Sequence, residues 1–461
     1  MRGGLAAAPG LADRSAFAAA ARPAVRPDVL LLLIAAVIFT YVWRFQNVIP
    51  GAQLLRPTLL LGLAIVAAAV QVPPDLLARR LWSSVLGLLV LLLLIAAAGL
   101  PFALDPAVGT RYLLTWVMPG AVLATLIVIA VRGAEDVEWL LLATVTGAAV
   151  YLATVYARGG ANAVTNPAAT VFYDRNDLSL MLVALIPAAL HLAWAGQPPM
   201  RRVLATTCFL VFVFTIVRGG SRGGLVGLVV VLGYMLLTFQ LLPRRARVWT
   251  AIATLLLLAG GGSAYWGRVR TIFQPETDYN WSGRTCGRGE VWRRGLTYVR
   301  QRPVVGVGAN GFPIAERELS RPARERLMVG RPFETLNAHN IFLQIAAELG
   351  LPGLIVFVAL VVHMARTLSR VRRRHAADPR LSGVAHVLLA ALLAYVVCGF
   401  FLSAAYFPFW YLLIGLVAAT AAVARAQAVA AARTSRAGLA PSRGASSAQL
   451  PPYEVPAPAR W

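Results

Sequence analysis

Between about residue 28 and residue 425 the chain is a succession of apolar runs, most of them long enough to cross a lipid bilayer. A membrane-spanning helix needs about 20 mostly apolar residues. With 59% hydrophobic and only 13% charged residues, the composition excludes an ordinary soluble enzyme. The sequence therefore predicts an all-α, polytopic membrane protein with about twelve transmembrane helices, at approximately 28–45, 57–72, 81–103, 112–131, 137–157, 177–196, 202–218, 223–243, 248–266, 341–366, 383–403 and 407–425.

The distribution of arginine predicts the orientation of these helices. The net charge is +24, and the chain contains no lysine, so all 43 basic residues are arginine. The larger clusters fall in loops on one side, among them 79–80, 244–247 and 372–374. Since cytoplasmic loops are enriched in basic residues, both termini are expected in the cytoplasm. In a soluble protein a net charge of this size would suggest that the protein binds nucleic acid. Here the positions of the arginines indicate the orientation of the helices in the membrane, and no nucleic-acid partner is expected.

The composition divides the chain into five parts. They are a disordered cytoplasmic N-terminus (1–27), transmembrane helices 1–9 (28–266), a large periplasmic loop (267–338), transmembrane helices 10–12 (339–425) and a disordered cytoplasmic tail (426–461). Residues 1–27 lack a continuous apolar stretch, so a cleaved signal is not expected. Cys286 is the only cysteine of the loop, which excludes a disulfide within it. No Cys/His cluster or HExxH motif occurs, so no metal site and no cofactor are predicted.

The 267–338 loop breaks the apolar pattern and has thirteen arginines against seven acidic residues. A bilayer tolerates polar, irregular backbone only in water or inside protein, so chemistry is expected here. Trp292, Leu296 and Val299 recur at helical spacing, which predicts an amphipathic helix over 288–300 at the membrane interface. Pro303 and the glycines that follow would end this helix.

Two further polar segments face the same side, at 166–177 and 218–224. The glycines of the second segment permit a sharp turn and close approach of a ligand. Ser221 is a candidate N-cap, and the free amides of a helix N-terminus attract anions. The alternative interpretation is that Asp177 only caps its helix, and that Arg218 and Arg222 extend to lipid phosphates.

The fourth polar region begins where the loop meets the tenth predicted span. Asn340, Gln344 and Glu348 recur every four residues, which predicts one polar stripe on a helix. Glu348 is a functional candidate because ionisable residues are rare near the membrane. Of the five histidines, only His339 is placed for chemistry at the outer face. A lone histidine is more often structural, and that alternative stays open.

In these residues the chain resembles the O-antigen ligase/polymerase superfamily of bacterial polytopic glycosyltransferases. The resemblance covers about residues 165–420. It rests on Ser221-Arg222-Gly223-Gly224, Arg288-x-x-x-Trp292, Pro303, Gly306-x-Gly308, His339-Asn340 and Glu348-x-Gly350-x-x-Gly353. Residues 173–177 also resemble the Asp-Pro-Asn-Asp segment of a branch associated with exopolysaccharide and exosortase gene clusters. Arg175 stands in place of the proline, so the branch is left open.

The resemblance implies transfer of a glycan from a polyprenyl (undecaprenyl) diphosphate donor at the periplasmic face of the bacterial inner membrane, among membrane lipids. The implied acceptor is lipid A–core, another glycan or a protein hydroxyl, and neither a nucleotide sugar nor a metal is needed. A polysaccharide polymerase of the same superfamily is the nearest alternative. A polytopic transporter or flippase is another; transporters often show internal repeats, and none is evident here.

The arginines suit the chemistry that the resemblance implies. A diphosphate leaving group gains negative charge as the glycosidic bond breaks, and arginine forks hold such a group well. Arg222 and Arg288 are the predicted catalytic clamp. Further donor contacts are predicted from Arg175, Arg218 and Arg284.

The remaining predicted roles concern the acceptor. A neutral histidine takes a proton in the physiological range, so His339 is the predicted base for the acceptor hydroxyl. A single displacement at the sugar C1 would invert the anomeric configuration. Asn340 or Glu348 would orient His339 or shape the acceptor pocket, and Trp292 would stack on a sugar face or anchor at the interface.

Overall fold

The computed structural model describes residues 28–44, 57–73, 83–160, 164, 173–194, 196–240, 242–274, 287–329 and 336–438. In these ranges all regular secondary structure is helical, which confirms the all-α prediction. The helices are α1 (Val29–Trp43), α2 (Pro57–Gln71), α3 (Ser84–Gly99), α4 (Pro106–Ala130), α5 (Ala134–Gly159), α6 (Arg175–Trp194), α7 (Pro199–Gly219), α8 (Arg222–Thr238), α9 (Arg244–Ala259), α10 (Gly262–Arg270), α11 (Arg288–Gln301), α12 (Phe312–Glu318), α13 (Arg321–Met328), α14 (Ile341–Arg374), α15 (Pro379–Gly399) and α16 (Pro408–Gly438).

Eight of the described helices are long and apolar enough to cross a membrane, which indicates a multi-pass membrane protein. They are α3 to α7 and α14 to α16. Helices α1, α2 and α8 are apolar but shorter. Each of the twelve predicted spans overlaps at least one helix, and the span at 248–266 overlaps both α9 and α10. Not all of these helices meet the length and composition of a span. The count of twelve and the periplasmic position of the loop therefore stay predictions.

The two ends of the chain lie largely outside the described residues. The predicted disordered segment 1–27 lies wholly outside them. Helix α16 continues to Gly438, beyond residue 425 where the last span was predicted to end. The remainder of the predicted tail, 439–461, is not among the described residues.

Helix α6 forms the centre of the bundle, because 89% of its apolar stretch is buried. It packs against α5, α7, α8 and α15. Helix α14 packs against α3, α15 and α16, and α16 packs against α4. The Tyr395 and Trp410 rings stack at a centroid distance of 4.7 Å where α15 meets α16. This packing brings the N-terminal ends of α6, α8 and α14 to the same end of the bundle.

The described part of the segment predicted as a loop contains the helices α11 to α13 and a small core of its own. Val291, Tyr298 and Phe312 pack there with Leu343 of α14. The carboxylate of Glu316 is fully buried, pairs with Arg294 at 2.6 Å and accepts a hydrogen bond from the Tyr298 hydroxyl at 2.8 Å. Paired in this way, the buried charge joins α11 to α12.

The predicted amphipathic helix is confirmed as α11, and the face that packs against the protein is not the predicted apolar face of Trp292, Leu296 and Val299. Leu296 is 52% exposed, whereas Val291, Gly295 and Tyr298 are buried. The buried face is thus rotated by one residue, or about 100° of helix. The reason is tertiary: Tyr298 reaches the buried Glu316, and the small Gly295 admits a side chain of α14.

Helix α14 is interrupted at Gly350, which has a φ of 71°. The carbonyl groups freed by the break accept hydrogen bonds from the preceding segment, from Val307 N to Ala347 O at 2.8 Å and from Gly308 N to Glu348 O at 3.0 Å. Leu351 N in turn donates to Pro303 O at 2.7 Å. Residues 303–308 therefore satisfy the backbone that the break exposes.

Candidate functional site

The N-terminal ends of α6 and α8 are joined by a chain of side-chain hydrogen bonds. Asp174 Oδ1 accepts from the amides of Asn176 (2.6 Å) and Asp177 (2.7 Å), so Asp174 caps α6 and the alternative of an Asp177 cap is wrong. Ser221 Oγ donates to Asn176 Oδ1 at 2.9 Å and accepts from Gly224 N at 3.1 Å. The predicted Ser221 cap is thereby confirmed.

Three arginines gather at this junction. Arg175 begins α6 and Arg222 begins α8, and the charges of Arg222 and Arg268 both act on Arg175. Arg222 Nη1 donates to Thr271 Oγ1 at 2.8 Å. Arg268 lies over Gly220, where its Nη1 would be 2.9 Å from an added Cβ. Three like charges beside two helix N-termini make a strongly positive site that favours a polyanion.

Arg268 was not predicted as a site residue, although the sequence contains a signal for it. Arg268 and Arg270 follow an apolar stretch at the same end of the bundle as the 218–224 turn. With the orientation predicted from sequence, basic residues there oppose the positive-inside trend, as do Arg218 and Arg222. The contact of Arg268 with Gly220 joins positions 48 residues apart, so a local sequence pattern does not predict it.

Arg218 lies in the last turn of α7, near Tyr156 of α5. Its charge acts on the hydroxyl of Tyr156, which lies 3.0 Å from Thr215 Oγ1. Arg218 thus borders the arginine group formed by Arg175, Arg222 and Arg268.

His339 joins the site from the start of α14. Its backbone has a φ of 49°, and its amide donates to Ser403 Oγ at 2.7 Å. Burial, and secondly the charge of Arg288, lower the pKa of the His339 imidazole to about 4, while Asp174 acts in the opposite direction. The ring is therefore neutral at pH 7. Because Asp174 also acts on Arg175, it links His339 and Arg288 to the arginine group.

Asn340 is the N-cap of α14 and is 6% exposed. Its Oδ1 accepts from the amides of Phe342 (2.9 Å) and Leu343 (3.0 Å). Gln344 Oε1 accepts from Ala405 N at 3.2 Å and ties α14 to the α15–α16 connection. The side-chain oxygens of the first two residues of the predicted polar stripe thus accept from backbone amides.

Glu348 is 1% exposed and holds the start of α12 against α14. Its two carboxylate oxygens accept from Asn310 N at 3.1 Å and Phe312 N at 3.3 Å. It follows Asn340 by eight residues, about 12 Å along the helix. Among the described residues, no hydrogen bond joins Glu348 to His339.

Trp292 follows Arg288 by one helical turn, so the two side chains share a face of α11. The indole is half-buried and meets the Phe400 ring edge-to-face at 5.6 Å. Arg284, which was predicted to contact the donor, lies outside the described residues.

In the comparison with known families, residues 207–358, from α7 into α14, match the family described as O-Antigen ligase. The matched stretch contains Arg218, Arg222, Arg268, Arg288 and His339, and it confirms the resemblance to the O-antigen ligase/polymerase superfamily. No curated protein matches the chain.

Proposed function

From the O-antigen ligase domain at residues 207–358, we propose that this protein is a ligase-type glycosyltransferase of the bacterial inner membrane. It transfers a glycan from undecaprenyl diphosphate to an acceptor hydroxyl at the periplasmic face. The observation that supports this most strongly is the arginine group of Arg175, Arg222 and Arg268, linked through Asp174 to His339.

In the proposed reaction the arginines hold the diphosphate. The bond between the sugar C1 and the diphosphate oxygen breaks, and its electron pair moves onto the leaving group. Guanidinium forks and helix N-termini stabilise that charge without rearrangement of solvent. Arg222 and Arg288 act directly on the leaving group. Supporting contacts to the donor come from Arg175, Arg218, Arg268 and Arg284.

His339 takes the proton of the acceptor hydroxyl as its oxygen attacks C1. The attack on the face opposite the leaving group inverts the anomeric configuration. A pKa of about 4 keeps the imidazole neutral, but also makes it a weak base. A bound diphosphate offsets the charge of Arg288, and so raises the pKa of His339 when the donor is present.

Trp292, Asn340 and Glu348 do not take part in the bond changes of this reaction. Trp292 offers a half-buried aromatic face for a sugar ring. The oxygens of Asn340 and Glu348 accept from backbone amides. These two residues therefore support the geometry around His339 and α12 rather than contact the acceptor.

A polysaccharide polymerase of the same superfamily is equally compatible with the family match, because its donor and its leaving group are the same. A transporter or flippase is less well supported. Transporter sites often use the free ends of interrupted helices near mid-bilayer. Here the break at Gly350 is covered by residues 303–308.

The test is glycan transfer by the purified protein in detergent, from a polyprenyl diphosphate donor and in excess chelator. Lipid A–core, a pilin-type protein and a second lipid-linked glycan are offered as separate acceptors. We expect product without divalent metal, because arginine charge neutralises the diphosphate. Product with the second glycan alone identifies a polymerase, and no product with any acceptor favours a transporter. Activity that is lost in EDTA and restored by magnesium contradicts the arginine clamp.

A further inference from the structure

A cavity of about 300 Å³ opens at the end of the bundle opposite to His339. It lies between the start of α3, the last turns of α14 and the middle of α16. Arg370, on its wall, follows the start of α14 by 29 residues, roughly 40 Å of helix. The polar and charged residues around it include Ser84, His363, Arg370, Arg374, His375 and Arg425.

The cavity is basic, and its charges are not compensated by its own walls. None of the described residues that line it is acidic. Arg370, Arg374 and Arg425 are exposed, and within the described part of the chain they make no ion pair or hydrogen bond. Arg370 and Arg374 are four residues apart on α14, so they repel one another and disfavour the helix unless an anion is present.

The walls also combine a fixed polar edge with an apolar floor. His363 Nε2 lies 2.6 Å from Ser84 Oγ, and this hydrogen bond joins α14 to α3 beside the arginines. The floor is formed by Val85, Val371, Ala421 and Ala424. On α3, just beyond the cavity, Val90 and Leu94 are 52% and 60% exposed, as expected of residues that face lipid tails.

We propose that this cavity binds the phosphate-bearing headgroup of an anionic phospholipid. Arginine forks match the oxygens of a phosphate ester. Helix ends lie at the level of the headgroups, and basic pockets between spans at that level bind anionic lipids. The apolar floor continues into the lipid-facing surface of α3, where acyl chains can follow. The site is separate from the proposed transfer site and does not depend on the proposed function.

The test compares two double variants of the full-length protein. Arg370→Gln/Arg374→Gln removes two cavity arginines. The control, Arg366→Gln/Arg373→Gln, removes the same charge from the same helix outside the cavity lining. Phosphatidylglycerol is titrated into the detergent-solubilised protein, and bound lipid is counted by native mass spectrometry. We expect affinity about 25-fold weaker for the cavity variant, since each arginine contributes about a factor of 5. The control should change by less than about 3-fold, because its charges are screened by solvent.

A second variant, Ala428→Phe, fills the cavity and leaves every charge in place. It should also lose phosphatidylglycerol binding. Equal losses in the cavity and control variants, or full binding by Ala428→Phe, would overturn the proposal in favour of diffuse attraction to the arginine-rich helix end. Inorganic phosphate is tested in parallel. Phosphate binding without phosphatidylglycerol binding would overturn the lipid assignment.

Discussion

The guanidinium of Arg268 lies against the backbone of Gly220, with Nη1 2.9 Å from the position of an added Cβ. Gly220 has a φ of 61° and ends α7. The absence of a side chain at position 220 therefore serves two purposes: the chain turns through a left-handed conformation, and α10 closes over the turn. Arg268 thereby approaches Arg175, and the arginine group is complete only in the folded bundle.

The first prediction concerns this contact. Arg268→Ala should lower the kcat/KM for the lipid-linked donor by about 10- to 100-fold, the loss of one hydrogen bond to a charged group. Arg270→Ala is the matched control, because it removes an exposed arginine from the same turn of α10. Equal activity of the two variants in the transfer assay would exclude Arg268 from the donor site.

The second prediction concerns the shape of the clamp. Arg222→Lys and Arg288→Lys should each lose most transfer activity, since an ammonium keeps the charge but not the bidentate fork. Arg218→Lys should be better tolerated, because Arg218 borders the group near Tyr156. Full activity of the Arg222 and Arg288 variants, measured at saturating acceptor, would show that the positive field alone suffices.

His339 carries the third prediction. His339→Ala should abolish transfer while membrane expression is retained. In the native protein the fraction of neutral His339 should stay near its maximum from pH 7 to pH 5 and fall only near pH 4. The kcat/KM for the donor, which reports the pKa of the donor-free enzyme, should be flat down to pH 5. A midpoint of kcat/KM near 6.5, the ordinary histidine value, would contradict the burial of the ring beside Arg288.

The same pKa shift affects stability. Because the folded pKa of His339 lies below its unfolded value, the unfolded chain binds the proton first as the pH falls. The native protein should therefore lose stability between about pH 6.5 and pH 4 relative to His339→Gln. Thermal unfolding of both proteins in detergent at pH 7 and pH 4.5 measures this difference.

The parts of the structure that were predictable from sequence are those set by local rules. Apolar runs of about 20 residues specify membrane-length helices. Ser221 was identified as an N-cap because it precedes a helix and its oxygen can accept from an amide three residues later. The helix predicted over 288–300 followed from periodicity alone and is observed over Arg288–Gln301.

What could not be predicted depends on packing between distant segments. The face of α11 that packs against the protein, formed by Val291, Gly295 and Tyr298, was not predicted, since the orientation of α11 is decided by Glu316 and by α14. Glu348 has the position of a functional carboxylate, yet its oxygens accept from amides 36 and 38 residues away. In both cases contacts with distant segments, and not the local sequence pattern, decide what the residues do.

A further prediction tests the backbone contact at the break in α14. Gly350→Ala would place a Cβ against Val304 O at a φ of 71°, where side chains are strained, so it should lower the yield and the melting temperature. Gly87→Ala is the control, because Gly87 is helical and has open space around it.

Glu348→Gln should destabilise by about 1–3 kcal/mol, since one buried amide loses its acceptor. Loss of transfer by Glu348→Gln at an unchanged melting temperature would restore a direct role for the carboxylate.

The last prediction concerns orientation, on which the periplasmic assignment of His339 depends. The arginine clusters at 244–247 and 372–374 predict cytoplasmic positions, and residue 310 should lie on the opposite side. Fusions truncated at about residues 245, 310 and 376 are made with one reporter active only in the periplasm and one active only in the cytoplasm. We expect the periplasmic reporter to be active only at 310, and the cytoplasmic reporter at the other two. Because α11, α12 and the start of α14 share one small core, the side on which residue 310 lies is also the side of His339. A cytoplasmic signal at 310 would move the arginine group and the proposed base to the cytoplasmic face, where a periplasmic transfer reaction cannot use them.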